Sequence, residues 1–265
     1  MRSDLASGGK AGLVGHKETT VEIALDELEK TQNKDGLNAI GRFLNLARLR
    51  AFPPTTLGDI VYLASAASTP VSDVHYGGGR FKAVAKGTLV DDGGVNIVPV
   101  DGALSWKRII DGGFYSLGMF GAKPDGVTES GDKILNAMKF ARANRVIMNA
   151  SAEKYLTRTG IPFWKNSGLK GGGVGVTTFA RTTNDKYHVT NGKDIDVFVL
   201  LFGDNMDVDD YTADCENATL SGITFIKEGL TGRSNNTSNG LWHPRLDVSS
   251  YYDIRLECPH IGVCF

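Results

Sequence analysis

The chain has 265 residues, enough for one large domain or two ordinary ones, and its 41% apolar content excludes wholesale disorder. Its 33 glycines, without collagen periodicity, favour many tight turns and therefore short strands over long helices. The formal charge of -1 gives no electrostatic case for binding nucleic acid or an anionic membrane, and no apolar run approaches the length of a membrane span. No apolar signal core stands at the N-terminus, so we expect synthesis in a cytoplasm.

The first 50 residues are predicted to form an extended and helical segment. Residues 1–19 are rich in Gly and Ser, and residues 20–30 place an apolar stripe on one helical face: Val21, Leu25 and Leu28. Since no second helix lies beside this stripe in the sequence, it suits burial against another chain as well as against its own. A second helix is predicted over residues 37–49, before Pro53 and Pro54 end the segment.

Residues 51–110 are predicted to form a small all-β domain. Short runs with strand character alternate with turn clusters rich in Gly and Asp. The predicted strands cover residues 59–63, 79–84, 95–100 and 104–109.

Beyond the Gly-rich joint at 111–113, the pattern predicts one helix followed by strands only. Apolar residues at helical spacing predict a helix over 132–144. Strands are predicted at 145–148, 154–157, 196–202, 218–226 and 251–265. Two of them alternate apolar and polar residues around Ile223 and Ile254, which are 31 positions apart. This repeat favours a stacked solenoid, with a β-sandwich as the alternative.

The segment Phe120-Gly-Ala-Lys-Pro-Asp-Gly-Val-Thr-Glu-Ser130 resembles the FGA-x-x-DG-x-T-D-S/D opening of pectate-lyase-like β-helices, which are common in phage tailspikes. It departs from that opening in having Glu129 where Asp is usual. The glycines permit tight turns, and Thr128 or Ser130 is placed to cap the helix that follows. We therefore interpret the segment as a structural cap over the open end of the first coil, with this set of residues: Gly121, Asp125, Gly126 and Thr128. The nearby carboxylates of Glu129 and Asp132 are interpreted as structural too.

Several upstream pieces are similar to the N-terminal head module of phage tailspikes, and the resemblance covers most of residues 1–150. These pieces are Leu49–Pro54, Gly58–Leu63, Tyr76–Phe81 and Trp106–Arg108. The resemblance implies a mostly β protein in three parts. A helical segment for trimerisation or anchoring (1–50) precedes a β head domain (51–110) and the capped start of a right-handed parallel β-helix (111–265).

The resemblance also implies a function. The head would attach the spike to the phage tail, baseplate or a neighbouring tailspike in the virion. The β-helix would form a homotrimer that binds, and degrades, bacterial capsule or O-antigen. Endoglycosidase action is favoured over lyase or deacetylase chemistry, without a cofactor. The alternatives are a non-catalytic adaptor that docks other tailspikes and a free polysaccharide-degrading enzyme. The strand pattern stops at residues 262–265 without a polar cap, so we expect a truncated β-helix without activity of its own.

Glycoside hydrolysis commonly uses two carboxylates, which makes the densest acidic patch the candidate catalytic set. The patch begins at Asp204, and the candidate catalytic residues in it are Asp207, Asp209, Asp210, Asp214 and Glu216. A solvated acidic loop or a calcium site is the alternative interpretation. Trp242 is the candidate glycan-stacking residue, with ordinary packing as its alternative.

Three other patterns in the sequence do not predict a catalytic or metal-binding site. Asp253, Arg255 and Glu257 alternate on one strand and therefore share a face, which favours ion pairing. The glycines at 171–175 lack the Lys-Ser/Thr of a phosphate loop and predict a turn. The five histidines show no metal-ligand spacing, so no metal is predicted.

Overall fold

The computed structural model describes most of the chain between Thr31 and Cys264. The described residues are 31–32, 38–67, 75–158, 160–183, 187–188, 194–195, 197–202, 215–228, 239–242, 246–247, 250–257 and 261–264. Strands dominate this part of the chain, and it contains two α-helices, so the predicted mostly β class is confirmed. The helix predicted over residues 20–30 lies outside the described residues.

The head is a mixed six-stranded sheet. Its strands are β1 (Thr31–Gln32), β2 (Asn38–Phe43), β3 (Ile60–Leu63), β4 (Gly79–Ala85), β5 (Asn96–Ile97) and β6 (Leu104–Arg108), in the order β1-β2-β3-β4-β6-β5. Helix α1 (Leu46–Arg50) follows β2. The helix predicted over residues 37–49 is therefore wrong in its first half, because β2 pairs with β3 there.

One face of the head sheet is buried because alternate residues of each strand point to the same side. Val61, Phe81 and Trp106 are buried on that side, and Leu49 of α1 packs with them. The Trp106 indole Nε1–H donates a 2.8 Å hydrogen bond to the Phe52 carbonyl, so the large ring is buried without an orphaned donor.

A second core belongs to a stack of parallel strands. These strands are β7 (Tyr115–Ser116), β8 (Asp125–Glu129), β9 (Ile147–Asn149), β10 (Glu153–Thr157), β11 (Ile161–Trp164), β12 (Gly168–Lys170), β13 (Thr177–Arg181), β16 (Val197–Phe202), β17 (Cys215–Glu216), β18 (Thr219–Lys227), β19 (Asn239–Trp242), β20 (Leu246–Asp247), β21 (Ser250–Glu257) and β22 (Ile261–Cys264). A short antiparallel pair, β14 (Tyr187–His188) and β15 (Asp194–Ile195), lies between β13 and β16 in the chain.

The parallel strands wind around three faces. The first face stacks β7, β9, β12 and the beginnings of β18 and β21. The second face stacks β8, β10, β13 and the ends of β18 and β21. The third face stacks β11, β16, β19 and β22. The chain visits the faces in the same order in each coil, which is the path of a parallel β-helix.

Equivalent residues of successive coils lie on top of one another inside the stack. Ile223 pairs with Ile254 in the parallel register of β18 and β21, as the 31-residue repeat predicts. On the second face the Tyr155, Phe179 and Phe225 rings stack at centroid distances of 5.0 and 5.6 Å. The interior of the β-helix is therefore a column of apolar side chains that belongs to no single coil.

The corner that precedes the first face also repeats. Arg145, Asn166 and Asn217 each stand two residues before a first-face strand, and each has a left-handed φ, of 55, 58 and 54°. Asn and Asp tolerate this conformation better than most residues. The Asn217 Nδ2 donates to the Asn166 Oδ1 at 3.1 Å, which links two successive coils at their corners.

Helix α2 (Gly131–Asn144) stands where the opening coil would otherwise have its third-face strand. It packs against β11, the end strand of the third-face sheet, and thereby covers that strand's free side. Its buried face is Ile134, Ala137, Met138, Phe140 and Ala141. The predicted helix is confirmed. No helix in the described part of the chain is long and apolar enough to cross a membrane.

Candidate functional site

Arg108, the last residue of β6, joins the head to the β-helix. Its guanidinium donates to the carbonyls of Gly94 and Gly78 in the head, at 2.9 and 3.0 Å, and to the carbonyl of Met119 at 3.2 Å. The same group lies 4.5 Å from the centroid of the Phe81 ring. Burial lowers the pKa of Arg108 to about 10, so it stays charged at neutral pH. One buried cation thus holds carbonyls from both sides of the junction.

Glycines allow the two units to approach closely around Arg108. Gly77 lies against the Gly118 backbone, and a Cβ at Gly77 would overlap the Gly118 carbonyl. A Cβ at Gly94 would lie 2.5 Å from the Phe120 ring. Two segments that resemble tailspikes in the sequence, around Tyr76–Phe81 and Phe120–Ser130, therefore meet at this junction.

A groove of about 690 Å³ lies between the head and α2, beside the junction. Leu46, Leu89 and Phe120 contribute apolar walls, and the bidentate Arg50–Asp91 ion pair lines it, with N–O distances of 2.7 and 2.9 Å. The Arg50–Asp91 pair is satisfied internally, and two exposed cations of α2, Lys133 and Lys139, also line the groove.

The polar chemistry lies instead in a shallow groove of about 520 Å³ on the outside of the second face. Asp125, Glu153, Lys154, Thr178 and Glu228 line it. Lys154 and Glu228 form a 2.8 Å ion pair that joins β10 to the end of β18, and both side chains are more than a third exposed. Carboxylates, an ammonium and a hydroxyl on an open surface are suited to hydrogen-bonding a polyhydroxylated chain.

Asp125 is committed to its own turn. Its carboxylate accepts from the backbone N–H groups of Val127 and Thr128, at 2.9 and 2.7 Å, and from the Thr128 hydroxyl at 2.6 Å. Burial opposes ionisation, but these hydrogen bonds and Lys123 outweigh it and lower the pKa of Asp125. The group is therefore an acceptor at neutral pH and is not placed to donate a proton.

The rest of the predicted cap is built from backbone turns. Gly121 (φ 87°) ends the 3-10 turn Leu117–Phe120, and Gly126 (φ 67°) sits in the Asp125 turn. Ser130 occupies the N-cap position of α2 without a side-chain capping bond. The Glu129 carboxylate instead accepts from the free N–H of Gly131 at 2.9 Å and from Arg158 N–H at 3.2 Å.

The candidate catalytic set falls mostly outside the described residues. Asp207, Asp209, Asp210 and Asp214 lie there, and their role stays a prediction. Glu216 belongs to β17, where its backbone pairs with Asp247 of β20. Trp242 ends β19 and is in register with Leu200 and Cys264 on the third face. Within the described residues, no group of three or more His, Cys, Asp or Glu is arranged to hold a metal ion.

Two other predictions concern described residues. The Arg255 Nε and Glu257 Oε1 lie 2.8 Å apart, as the ion-pairing interpretation expects. Asp253 does not join them in a regular strand, because its φ of 53° places it at the corner between the first and second faces. The Gly171–Gly175 segment forms the equivalent corner two coils earlier, and the Gly171 N–H donates to the Ser221 carbonyl of the intervening coil at 2.8 Å.

A family model matches the head. Residues 42–111 match the family model described as the phage tail protein small four-stranded β-sheet domain. This range contains β3 to β6, α1, Arg108 and the end of β2.

Solved structures share the whole architecture. The tailspike gp42 of Acinetobacter phage vb_AbaP_AS12 superposes with a TM-score of 0.64 at 21% identity, over 82% of this chain and 36% of that one. The glycan biofilm modifying enzyme WceF of Pantoea stewartii, which has a tailspike-like parallel β-helix, gives 0.60 at 18%, over 84% and 30%. The enzymatically active domain of tailspike protein 4 from bacteriophage CBA120 gives 0.53 at 15%, over 85% and 32%.

These similarities confirm the fold inferred from the sequence, a tailspike-like head followed by a parallel β-helix. The chain spans about a third of the length of the structures it matches.

Proposed function

Because the chain joins a phage tail β-sheet domain to the β-helix fold of tailspikes, we propose that it is the N-terminal region of a tailspike. In this proposal the head attaches the spike to the tail, baseplate or a neighbouring spike. The β-helix leads into a surface that binds and degrades a bacterial capsule or O-antigen. The chain is made in the host cytoplasm and acts in the virion as a homotrimer.

The observation that carries the proposal is the junction at Arg108. A rigid connection is what an attachment module needs if it is to orient a long receptor-binding stack. The guanidinium reaches one carbonyl of the β-helix opening and two of the head, all within 3.2 Å. Buried, charge-assisted hydrogen bonds of this kind hold a single geometry, because breaking them leaves an uncompensated buried cation.

The outer second-face groove supports the polysaccharide part of the proposal. Its polar side chains come from three successive coils, through Glu153, Thr178 and Glu228. A linear polymer laid along the stack would meet one set of polar groups after another. WceF, which has this fold, is a glycan biofilm modifying enzyme.

The enzymatic part concerns the whole protein. We propose endoglycosidase chemistry for it, with lyase or deacetylase chemistry as alternatives, carried by carboxylates such as those at 207–216. The 265-residue chain itself is expected to bind without cleaving, since it spans about a third of the structures it matches.

Attachment is tested with spike-free particles of the phage that encodes the chain. The purified chain is incubated with them and centrifuged, and co-sedimentation is expected. Light scattering on the same preparation should give the mass of a trimer. A monomer that never sediments with the particles would overturn the attachment proposal.

Glycan recognition is tested separately. Purified capsule and O-antigen from the host strain are incubated with the chain, and binding and oligosaccharide release are followed. Binding without release is expected. Release would contradict the prediction that the chain is inactive, and attachment to particles without glycan binding would favour the adaptor role.

A further inference from the structure

The free face of the head sheet carries a concentration of positive charge. The inward positions of β3, β4 and β6 are buried, so the alternate positions point outward. Five exposed side chains occupy this outward face, and we call them the basic face: Arg42, Tyr62, Arg80, Lys82 and Lys107. Four of the five are cations, in a chain whose formal net charge is -1.

The strand register sets these side chains in two rows. Arg42 pairs with Tyr62, which pairs with Arg80, and the Arg42 guanidinium lies 5.8 Å from the centroid of the Tyr62 ring. In the next row Lys82 pairs directly with Lys107. Like charges directly opposite each other destabilise a sheet, so this pair has no benefit for the fold of the head.

Little negative charge offsets the face. Asp111 bonds to Arg80 at 3.1 Å, and it is the one carboxylate bonded to these five side chains among the described residues. Both partners are more than half exposed, so water screens this pair and it neutralises the face only weakly.

The β-helix does not use this face. Arg108, which reaches Met119, points from the opposite, buried side of β6. Other junction contacts come from Gly77 and Gly94, in the loops before β4 and β5, and from Ala66, which lies against Gly121. Among the described residues, the contacts that join the head to its β-helix therefore leave the basic face exposed.

We propose that the basic face is the docking surface of the head and that its partner is an acidic protein surface on the phage particle. The proposal rests on the attachment function proposed above. The exposed Tyr and the two Arg side chains are residue types enriched in protein interfaces, and the two Lys side chains add positive charge that complements an acidic partner. None of its five residues lines either of the two grooves described above, which favours a protein surface over the backbone of a polyanionic chain as the partner.

The small area of the basic face limits the affinity expected for its partner. Four strands of about five residues cover on the order of 300 Å². A stable interface buries about 800 Å² on each partner, so one face binds weakly and electrostatics mainly steer it. Three faces in the proposed trimer gain strength by binding together. Docking should therefore depend steeply on salt, because exposed charges are screened over about 8 Å at 0.15 M ionic strength.

The test compares two double variants of the 265-residue chain with equal changes in net charge. Lys82→Glu with Lys107→Glu reverses the centre of the face. Lys133→Glu with Lys139→Glu reverses two exposed cations of α2 and is the matched control. Binding to spike-free particles is measured by co-sedimentation at 50 and 300 mM salt, after circular dichroism has shown that both variants fold. Lys82→Gln with Lys107→Gln replaces the first variant if that one fails to fold.

We expect at least a tenfold loss of binding for the face variant at low salt, and less than a twofold change for the control. High salt should weaken wild-type binding at least tenfold. Equal binding by wild type and the face variant would overturn the docking surface while leaving the attachment function intact. Absence of wild-type binding would overturn the attachment function itself. Face-dependent binding to heparin, with none to particles, would replace the acidic protein with an anionic polymer.

Discussion

Gly77 in the head and Gly118 at the opening of the β-helix are in backbone contact, and Gly77 has no room for a side chain, because a Cβ there would overlap the Gly118 carbonyl. Gly77 has a φ of 65°, a conformation that L residues resist. The head can approach the β-helix this closely only because Gly77 lacks a Cβ. The junction therefore depends on backbone shape as much as on the hydrogen bonds of Arg108.

Gly77→Ala should destabilise the chain strongly. The added methyl overlaps the Gly118 carbonyl and the backbone must also hold a left-handed φ, which together cost about 2–4 kcal/mol of unfolding free energy. Gly113→Ala is the matched control, because its φ of 71° is similar and its Cβ would meet open space. Its expected cost is about 1 kcal/mol. Urea unfolding measures both, and equal costs would show that the contact is unimportant.

Arg108→Met should loosen the head from the β-helix. The change leaves the Gly78, Gly94 and Met119 carbonyls without their donor, at a cost of about 3–5 kcal/mol. Arg108→Lys keeps the charge but lacks the planar fork that reaches three acceptors, so most of the loss should remain. Limited proteolysis at the exposed residues 111–114 should accelerate in both variants.

The control for Arg108 is its neighbour on the opposite side of the same strand. Lys107→Met alters an exposed side chain and should change stability by less than about 0.5 kcal/mol. Cleavage at 111–114 that is unchanged in Arg108→Met would contradict its role at the junction.

The alternation of apolar and polar residues correctly predicted that two strands of the β-helix stack on each other. The 31-residue repeat around Ile223 and Ile254 equals the length of the coil that runs from β18 to β21. The two residues are register partners in those strands. Sequence periodicity does not reveal the other coils, because their lengths differ. Leu169 follows Met148 by 21 residues, whereas Leu220 follows Leu169 by 51. Insertions between strands change the spacing without changing the register, so periodicity alone misses them.

The features that the sequence did not predict depend on contacts between residues that are far apart in the chain. The apolar pattern at 37–49 is compatible with a helix, but pairing with β3 makes its first half a strand. No local feature of the sequence distinguishes Arg108 from Lys107. Only the alternation of side chains along strand β6 places them on opposite faces of the head sheet. The left-handed Asn166 and Asn217 are separated by 51 residues, and only the folded stack brings them together.

Phe179→Ala tests the column of aromatic side chains. Phe179 lies fully buried between the Tyr155 and Phe225 rings, so truncation leaves a cavity and removes two stacking contacts. We expect a loss of about 3–5 kcal/mol in the free energy of unfolding. Phe179→Leu should lose clearly less. Tyr252→Ala is the control, because its side chain is 56% exposed, and it should cost under about 0.5 kcal/mol.

Acid should weaken the head through Asp91. Burial opposes ionisation of this carboxylate, but the hydrogen bonds from Arg50 and from the Val98 and Gly93 N–H groups outweigh it, so its pKa is lowered. A pKa lowered by folding contributes stability above the unfolded value near 4, and this stability is lost as pH falls through the folded value. Asp91→Asn removes that contribution, because the amide does not ionise.

The stability difference between wild type and Asp91→Asn should therefore be constant above about pH 5 and shrink below about pH 4. Urea unfolding from pH 3 to pH 7 measures it. Asp111→Asn removes the exposed ion pair with Arg80 and should cost less than about 1 kcal/mol at pH 7. A difference between wild type and Asp91→Asn that stays unchanged down to pH 3 would mean that ionised Asp91 gives the head no net stability.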